Sequence, residues 1–227
     1  MNFIVTIDGP SSSGKSTLAK RLAERLSISH IDSGSIYRAV TLFAIENNLF
    51  VNQKLLIKKL LNGLSNSDIS LKENTYGIFK MYINGIDVED KIRGLKVSKY
   101  VSEIAKYEKI RNFVLKIQRD ISKNKSIVMD GRDIGSVVFP DADVKFYIDA
   151  SLKVRAKRRW NDLIVNEKNI SLNDVTNDLF NRDKIDVNRK ISPLVVPQDS
   201  IKINTDNFTI DQVVHKMIKL IDKKIKK

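Results

Sequence analysis

Eight residues near the start of the chain, Gly9-Pro10-Ser11-Ser12-Ser13-Gly14-Lys15-Ser16, narrow the choice of fold more than any other stretch. Two glycines five positions apart, followed by Lys and Ser, make the phosphate-loop pattern. Its backbone N–H groups surround phosphates, its lysine reaches the β and γ phosphates, and its serine coordinates magnesium. The pattern works only between a strand and a helix, because the helix N-terminus adds positive potential at the anion. That context is present: Phe3 to Ile7 is a short β-rich run, and Leu18, Leu22 and Leu26 mark one face of a helix opening at Lys15. A plain glycine-serine turn would leave both flanks unexplained.

Further short β-rich runs occur at Ile28 to Ile31, Ile127 to Met129, Val144 to Ile148 and Ile201 to Ile203, with helical stretches between most of them. Alternating strands and helices imply an α/β fold with a parallel sheet covered on both faces and ligands at the carboxyl ends of the strands. One region breaks the rhythm. After a helical stretch ending near Leu61, Ile69, Leu71, Ile78, Tyr82 and Ile83 alternate, and Asn84-Gly85 is a hairpin turn signal, so a small antiparallel insertion is expected. Helical spacing returns over Val97 to Lys106 and Ile110 to Ile121. In the last helix Thr209 and Gln212 form a capping box, and Val213, Val214, Met217, Ile218, Ile221 and Ile225 trace a core-facing stripe. Pro140, Pro193 and Pro197 fall in expected loops.

Composition removes several classes of function. The 227 residues are 42% hydrophobic and 30% charged, and the longest charge-free apolar run, Ala39 to Ile45, is far below the ~20 residues of a membrane span. Cysteine is absent, which excludes disulfides, thiolate metal sites and a cysteine nucleophile. The N-terminal run leads straight into the glycine loop without a secretion pattern, so a cytoplasmic protein is expected. The net charge of +13 favours anionic partners without saying which, and the closing Asp222-Lys223-Lys224-Ile225-Lys226-Lys227 reads as a solvated face.

A phosphate loop alone covers GTPases, motors and kinases. The guanine-reading Asn/Thr-Lys-x-Asp segment is missing, since Asn124-Lys125-Ser126-Ile127 lacks the aspartate. A small-molecule kinase works by positioning and charge neutralisation, and therefore needs arginines that converge on two phosphoryl groups. Four clusters offer them: Asp32-Ser33-Gly34-Ser35-Ile36-Tyr37-Arg38; Asp130-Gly131-Arg132-Asp133, whose strand-terminal Asp130 can hold magnesium through water; Arg155, Arg158 and Arg159 on one helix; and Arg182-Asp183 with Asp186 and Arg189.

GPSSSGKST, DSGSIYRA, DGRDIGSVVFPDADVKFYIDAS, RAKRR and RDKIDVNRKISPL together resemble the bacterial cytidylate kinase family, essentially end to end. The resemblance implies ATP-dependent phosphorylation of CMP and dCMP by a single phosphate-loop kinase domain with a five-stranded parallel sheet. It implies a core over 1–61, 102–150 and 170–227, a monophosphate-binding insertion over about 62–101, and a mobile lid over about 151–169. Gly9, Pro10, Ser11, Ser12, Ser13, Gly14, Lys15, Ser16 and Thr17 would bind ATP, with magnesium at Ser16 and, through water, Asp130. Arg38 and Arg132 would hold the CMP phosphate with Ser33 and Tyr37 nearby. Ser102, Arg111, Asp133 and Arg189 would contact cytosine, and Arg182 and Asp186 the ribose. Lys15, Arg132, Arg155, Arg158 and Arg159 would carry the transferring charge. Two departures stand out: Ser12 where the family often has glycine, and Ile185 and Val187 flanking Asp186 where many relatives are polar. A monomer acting on small molecules, with no nucleic acid or membrane partner, is expected. The alternatives are a kinase for UMP or AMP and a basic RNA-binding phosphate-loop ATPase, the latter supported by net charge alone.

Overall fold

The computed structural model describes residues 2–52, 54–74, 79–165 and 169–225. Ile78 of the expected alternation, residues 166–168 of the expected lid, and tail residues 226 and 227 lie outside the described residues. In chain order the elements are β1 (Ile4–Asp8), α1 (Lys15–Leu26), β2 (Ser29–Asp32), α2 (Ser33–Glu46), β3 (Phe50–Val51), β4 (Lys54–Leu55), α3 (Ile57–Ser65), β5 (Ile69–Glu73), β6 (Phe79–Ile83), β7 (Ile86–Asp87), α4 (Leu95–Ile104), α5 (Glu108–Ile121), β8 (Ile127–Gly131), β9 (Val144–Asp149), α6 (Leu152–Ile164), α7 (Leu172–Asn188), β10 (Ile201–Asn204) and α8 (Ile210–Ile225). A single π turn covers Ile134–Val138. The five runs read as strands form one five-stranded sheet in the order β10-β9-β1-β8-β2, flanked by helices, and β5-β6-β7 make a separate antiparallel sheet. The chain divides into two compact units, Met1–Ile28 with Ser126–Lys227, and Ser29–Lys125.

In the first unit β1 is a central strand. Ile4 faces Ile127 and Asp8 faces Gly131 of β8 on one side, while Val5 faces Val144 and Asp8 faces Tyr147 of β9 on the other, all parallel. Strands paired on both edges and covered on their faces read as continuous apolar runs, which is why these segments were visible. Val5, Ile7, Val128, Phe146 and Ile148 pack against Leu18 and Leu22 of α1 and Val213 and Met217 of α8. Burial of each such side chain contributes about 1.5–3 kcal/mol. The capping box of α8 is formed: Gln212 N–H donates to Thr209 Oγ1 at 3.3 Å, and Thr209 N–H to Gln212 Oε1 at 2.9 Å. The apolar stripe ends earlier than expected. Ile221 is buried but Ile225, at the last residue of α8, is 61% exposed.

The second unit has its own core, in which Ile36 and Val40 of α2, Leu60 and Leu64 of α3, Met81 of β6 and Ile110 of α5 are fully or almost fully buried. The antiparallel register sets Ile69 opposite Ile83 and Leu71 opposite Met81. Asn84 and Gly85 turn the chain from β6 to β7 with φ of 50° and 80°, the positive values a two-residue hairpin loop requires. The two-residue pair β3-β4 was not anticipated.

Candidate active site

The first unit gathers most of the expected site residues around the carboxyl ends of β1, β8 and β9. Gly9 leaves β1 where a Cβ would lie 2.0 Å from the Ile148 carbonyl oxygen, so no side chain fits. Gly14 caps α1 at φ 90° in the left-handed region. Ser12 also has positive φ, 60°, which is the physical reason a glycine suits that position. Lys15 is buried, and its Nζ donates to the Pro10 carbonyl at 3.0 Å across the loop. Ser16, next along the helix, donates its hydroxyl to Asp130 Oδ2 at 2.6 Å. The loop hydroxyl and the strand-terminal carboxylate named from sequence therefore stand together. Thr17 is exposed on the first turn of α1.

The arginines of α6 are tied to this loop. Arg155, 6% exposed, donates Nε to the Ala150 carbonyl at 2.9 Å and Nη1 to both the Ser11 carbonyl at 3.0 Å and Asp183 Oδ2 at 2.6 Å. Asp183 Oδ1 in turn accepts the Ser11 N–H at 3.4 Å. Arg158 reaches the Ser13 carbonyl at 3.4 Å and the Thr205 hydroxyl and carbonyl at 3.1 and 2.8 Å. Ser151 starts α6 by accepting the Val154 N–H, which sets the three arginines facing the loop and α7. Asp183 and Thr205 are site-framing residues that sequence reasoning did not assign. Asp183 sits inside a recognised acid-arginine cluster, while Thr205 carried only its place just after the last strand.

Around the end of β8 the acid and arginine residues interlock. Arg132 Nε donates to Asp186 Oδ2 at 2.9 Å, Arg189 Nη1 to Asp186 Oδ1 at 3.4 Å, and Arg189 Nη2 pairs with Asp133 Oδ1 at 3.7 Å. Burial works against the Arg132 charge, but the Asp186 carboxylate overrides it and holds the guanidinium above its ordinary value. Arg182 is in the opposite state. Among the described residues its buried Nε has no hydrogen-bond partner, and Asp178, 3.8 Å away and largely exposed, forms an ion pair with it. Burial depresses its pKa first and the positive charge of Arg132 adds to that; Asp178 and Asp186 oppose it, and Arg159 adds a smaller depression. A buried guanidinium repelled by two others is a place where an anion is stabilised.

The second unit holds the remaining expected residues. Asp32 caps α2 by accepting the Gly34 N–H at 2.9 Å, and Ser33 is the first, buried residue of the helix. Burial pushes the Asp32 carboxyl up, yet Arg93, 2.7 Å away, brings it below its ordinary value. Arg38, one turn into α2, donates to the Ile92 carbonyl at 3.2 Å and Ser98 Oγ at 2.9 Å. The Arg111 guanidinium lies 5.3 Å over the Tyr37 ring and donates to the Ala105 carbonyl at 3.1 Å. Ser102 is buried on α4. Arg93 and Ser98 were not singled out from sequence, because a lone exposed arginine and a mid-helix serine have no distinctive local pattern.

A strand, phosphate loop and helix followed by this GRD turn and arginine set match the family model for cytidylate kinase over residues 5–223. The chain belongs to the cytidylate kinase family. It is 43% identical over 221 residues to a cytidylate kinase of Clostridium botulinum (strain Loch Maree / Type A3), covering 97% of this chain and 98% of that one. Cytidylate kinases of Clostridioides difficile (strain 630) and Fusobacterium nucleatum are each 39% identical over 97% and 98% of this chain, and 99% and 98% of theirs. Among solved structures, an uncharacterized protein from Eubacterium ventriosum aligns with a TM-score of 0.52 at 15% identity, covering 97% of this chain and 99% of that chain, a likeness of fold alone. Among the described residues no helix is long and apolar enough to cross a membrane.

Proposed function

We infer that this chain transfers the γ-phosphoryl group of ATP to CMP and dCMP, giving CDP or dCDP and ADP. Family membership supports the reaction, and the observation within the chain that carries it is the phosphate loop itself, with Ser16 hydrogen-bonded to Asp130 at 2.6 Å and Arg155 and Arg158 held on the Ser11 and Ser13 carbonyls. In this reading the loop from Gly9 to Thr17, through its backbone N–H groups other than at Pro10, and the Lys15 ammonium hold the ATP phosphates. Arg38 and Arg132 hold the CMP phosphate beside Ser33 and Tyr37. Asp133, Arg189, Ser102 and Arg111 read cytosine, while Arg182 and Asp186 serve the ribose with Arg182 also facing the phosphates.

A CMP phosphate oxygen forms the new bond to the γ phosphorus as the bond to the β–γ bridging oxygen breaks, and the electron pair leaves on ADP. No protein nucleophile or general base is needed, because the acceptor is already an anion at neutral pH. The protein's contribution is alignment and neutralisation of charge spread over the transferring group. Lys15 would exchange its Pro10 carbonyl for phosphate oxygen, and Arg132, Arg158, Arg159 and Arg182 would stabilise the equatorial oxygens. Arg155, bound on three sides, would keep the Ser11 peptide in place. The Ser16 hydroxyl and Asp130 carboxylate, bonded at 2.6 Å, are oxygen donors of the hard type that magnesium takes, with Asp130 acting through water. Held by Ser16 and Asp130, magnesium brought with ATP would supply charge neutralisation. The segment about 62–101 would belong to the monophosphate-binding part, and about 151–169 to a lid that excludes competing water.

A coupled assay of ADP release with CMP, dCMP, UMP, AMP and dTMP tests the reading. CMP and dCMP should exceed the others by about tenfold or more in kcat/KM, the scale set by one mispaired polar edge. Faster turnover of UMP or AMP, or ADP release stimulated by RNA without an acceptor, would refute it.

A further inference from the structure

Asp8 ends β1 and immediately precedes Gly9, yet the chemistry above makes no use of it. It is 1% exposed, and its two oxygens have separate partners: Oδ1 accepts the Ile134 N–H at 2.8 Å and Oδ2 the Gly135 N–H at 2.7 Å. Those amides open the π turn that begins directly after Arg132 and Asp133. The same turn closes back on Asp133, whose carbonyl accepts from Val137 N–H at 2.9 Å and Val138 N–H at 3.2 Å. Carboxylate, turn and the Asp133 peptide thus make one hydrogen-bonded assembly. Gly135 is pressed against it, since a Cβ there would sit 2.8 Å from Thr6 Oγ1, 3.2 Å from Asp8 Oδ2 and 3.2 Å from Lys145 Cδ.

Two backbone amides can be satisfied by neutral acceptors, so a buried charge in this role is a costly choice. Burial pushes the Asp8 carboxyl up to about 6; the two N–H groups oppose that, Asp133 adds to it and Lys15 opposes it. The other titratable groups facing this corner are from β9: Lys145, which touches Gly135, and Tyr147, whose phenol is raised chiefly by burial with Asp149, Asp183 and Asp8 adding to the shift. An anion here grips both amides at once and leaves no rotational freedom in the turn. A charge-assisted pair is stronger and more directional than bonds to neutral oxygens.

We propose that Asp8 is a positioning residue for acceptor recognition, fixing through the 134–138 turn the directions in which Arg132 and Asp133 leave β8. The proposal rests on the reading of the chain as a CMP kinase. Asp8→Asn preserves size but offers one amide oxygen, leaving its NH2 opposed to the second backbone N–H. The KM for CMP should rise about tenfold or more and the CMP-to-UMP ratio of kcat/KM should fall, while the KM for ATP stays within about twofold. A merely structural defect would lower the active fraction and leave both KM values unchanged. Gly135→Ala, whose Cβ would press on Thr6 and the Asp8 carboxylate and so push the turn off its tether, should give the same split. In the unaltered protein, the Ile134 and Gly135 amide protons should move in NMR with the same midpoint as the Asp8 carboxyl carbon. An unchanged KM for CMP in a folded variant, an equal rise for ATP, or amides that ignore the Asp8 carboxyl would overturn the proposal. Failure of the wild-type protein to use CMP would instead refute the functional reading, and the NMR experiment would still report on the tether.

Discussion

Asp186→Ala tests how much the interlocked acids and arginines contribute to stability. Asp186 is buried and serves two guanidinium groups, Arg132 at 2.9 Å and Arg189 at 3.4 Å. Removing one partner of a buried pair costs about 3–5 kcal/mol, because the remaining charge is left without compensation. Arg189 keeps Asp133, and Arg132, with 21% of its side chain exposed, keeps some water and the Gly131 carbonyl at 3.4 Å. Those residual contacts put the expected loss near the lower bound, about 3 kcal/mol. Neither arginine can escape by losing its proton at neutral pH. For a chain of this length about 1 kcal/mol corresponds to roughly 2–4 °C, so the nucleotide-free variant should melt about 6–12 °C below wild type. Circular dichroism at pH 7 is the assay. The double variant Arg132→Met/Asp186→Leu, in which that charge pair is replaced by apolar side chains, should recover at least about half of the loss. A single variant melting within about 2 °C of wild type, or a double variant no more stable than the single, would refute the reasoning.

Three other substitutions probe separate parts of the site. Lys15→Ala should lower turnover by about a thousandfold or more while the melting temperature stays within a few degrees, since the ammonium donates to the Pro10 carbonyl of the loop and does not pack in the apolar core; near-normal kinetics in a folded variant would remove Lys15 from the mechanism. Asp133→Asn should reduce the CMP-to-UMP ratio of kcat/KM by at least about tenfold, or ~1.4 kcal/mol, because an amide can donate to uracil O4 where a carboxylate cannot; an unchanged ratio would mean Asp133 does not read the base. Gly9→Ala should cost about 3 kcal/mol or more in urea unfolding, as its Cβ would be driven to 2.0 Å from the Ile148 carbonyl oxygen; wild-type stability would show that the loop shifts freely.

The strands of the main sheet and the phosphate loop were legible because their signals are local. A buried parallel strand is an apolar run wherever it pairs, and Gly9 to Ser16 carries its spacing within eight residues. The Asn84-Gly85 hairpin was legible for the same reason. What escaped depends on partners distant in sequence. Asp8 and the amides it holds are separated by 126 and 127 positions, and Thr205 lies 192 positions from the Ser13 carbonyl that accepts its hydroxyl. No window along the chain contains both members of such a pair. Asp183 stood in an acid-arginine cluster, but its own partners, Ser11 and Arg155, lie 172 and 28 positions away. The stripe of α8 was overextended at Ile225 because the helical period runs to the last residue of the helix, whereas burial stops at Ile221.

Ser12 has a consequence for how this loop changes over generations. Its left-handed backbone, φ 60°, costs a side-chain-bearing residue about 1–2 kcal/mol that glycine would not incur. Glycine, however, adds freedom to the unfolded chain worth about 0.4–1 kcal/mol in the opposite sense. The strain is equal to or larger than the offset, by up to about 1.6 kcal/mol, so glycine fits this position as well as serine or better, and Ser12→Gly should hold or modestly raise stability. β-branched residues have the same offset but a steeper left-handed penalty. Position 12 is therefore narrowed by backbone geometry to glycine and the short polar residues that tolerate a left-handed backbone, in a loop whose neighbouring positions are held by chemistry.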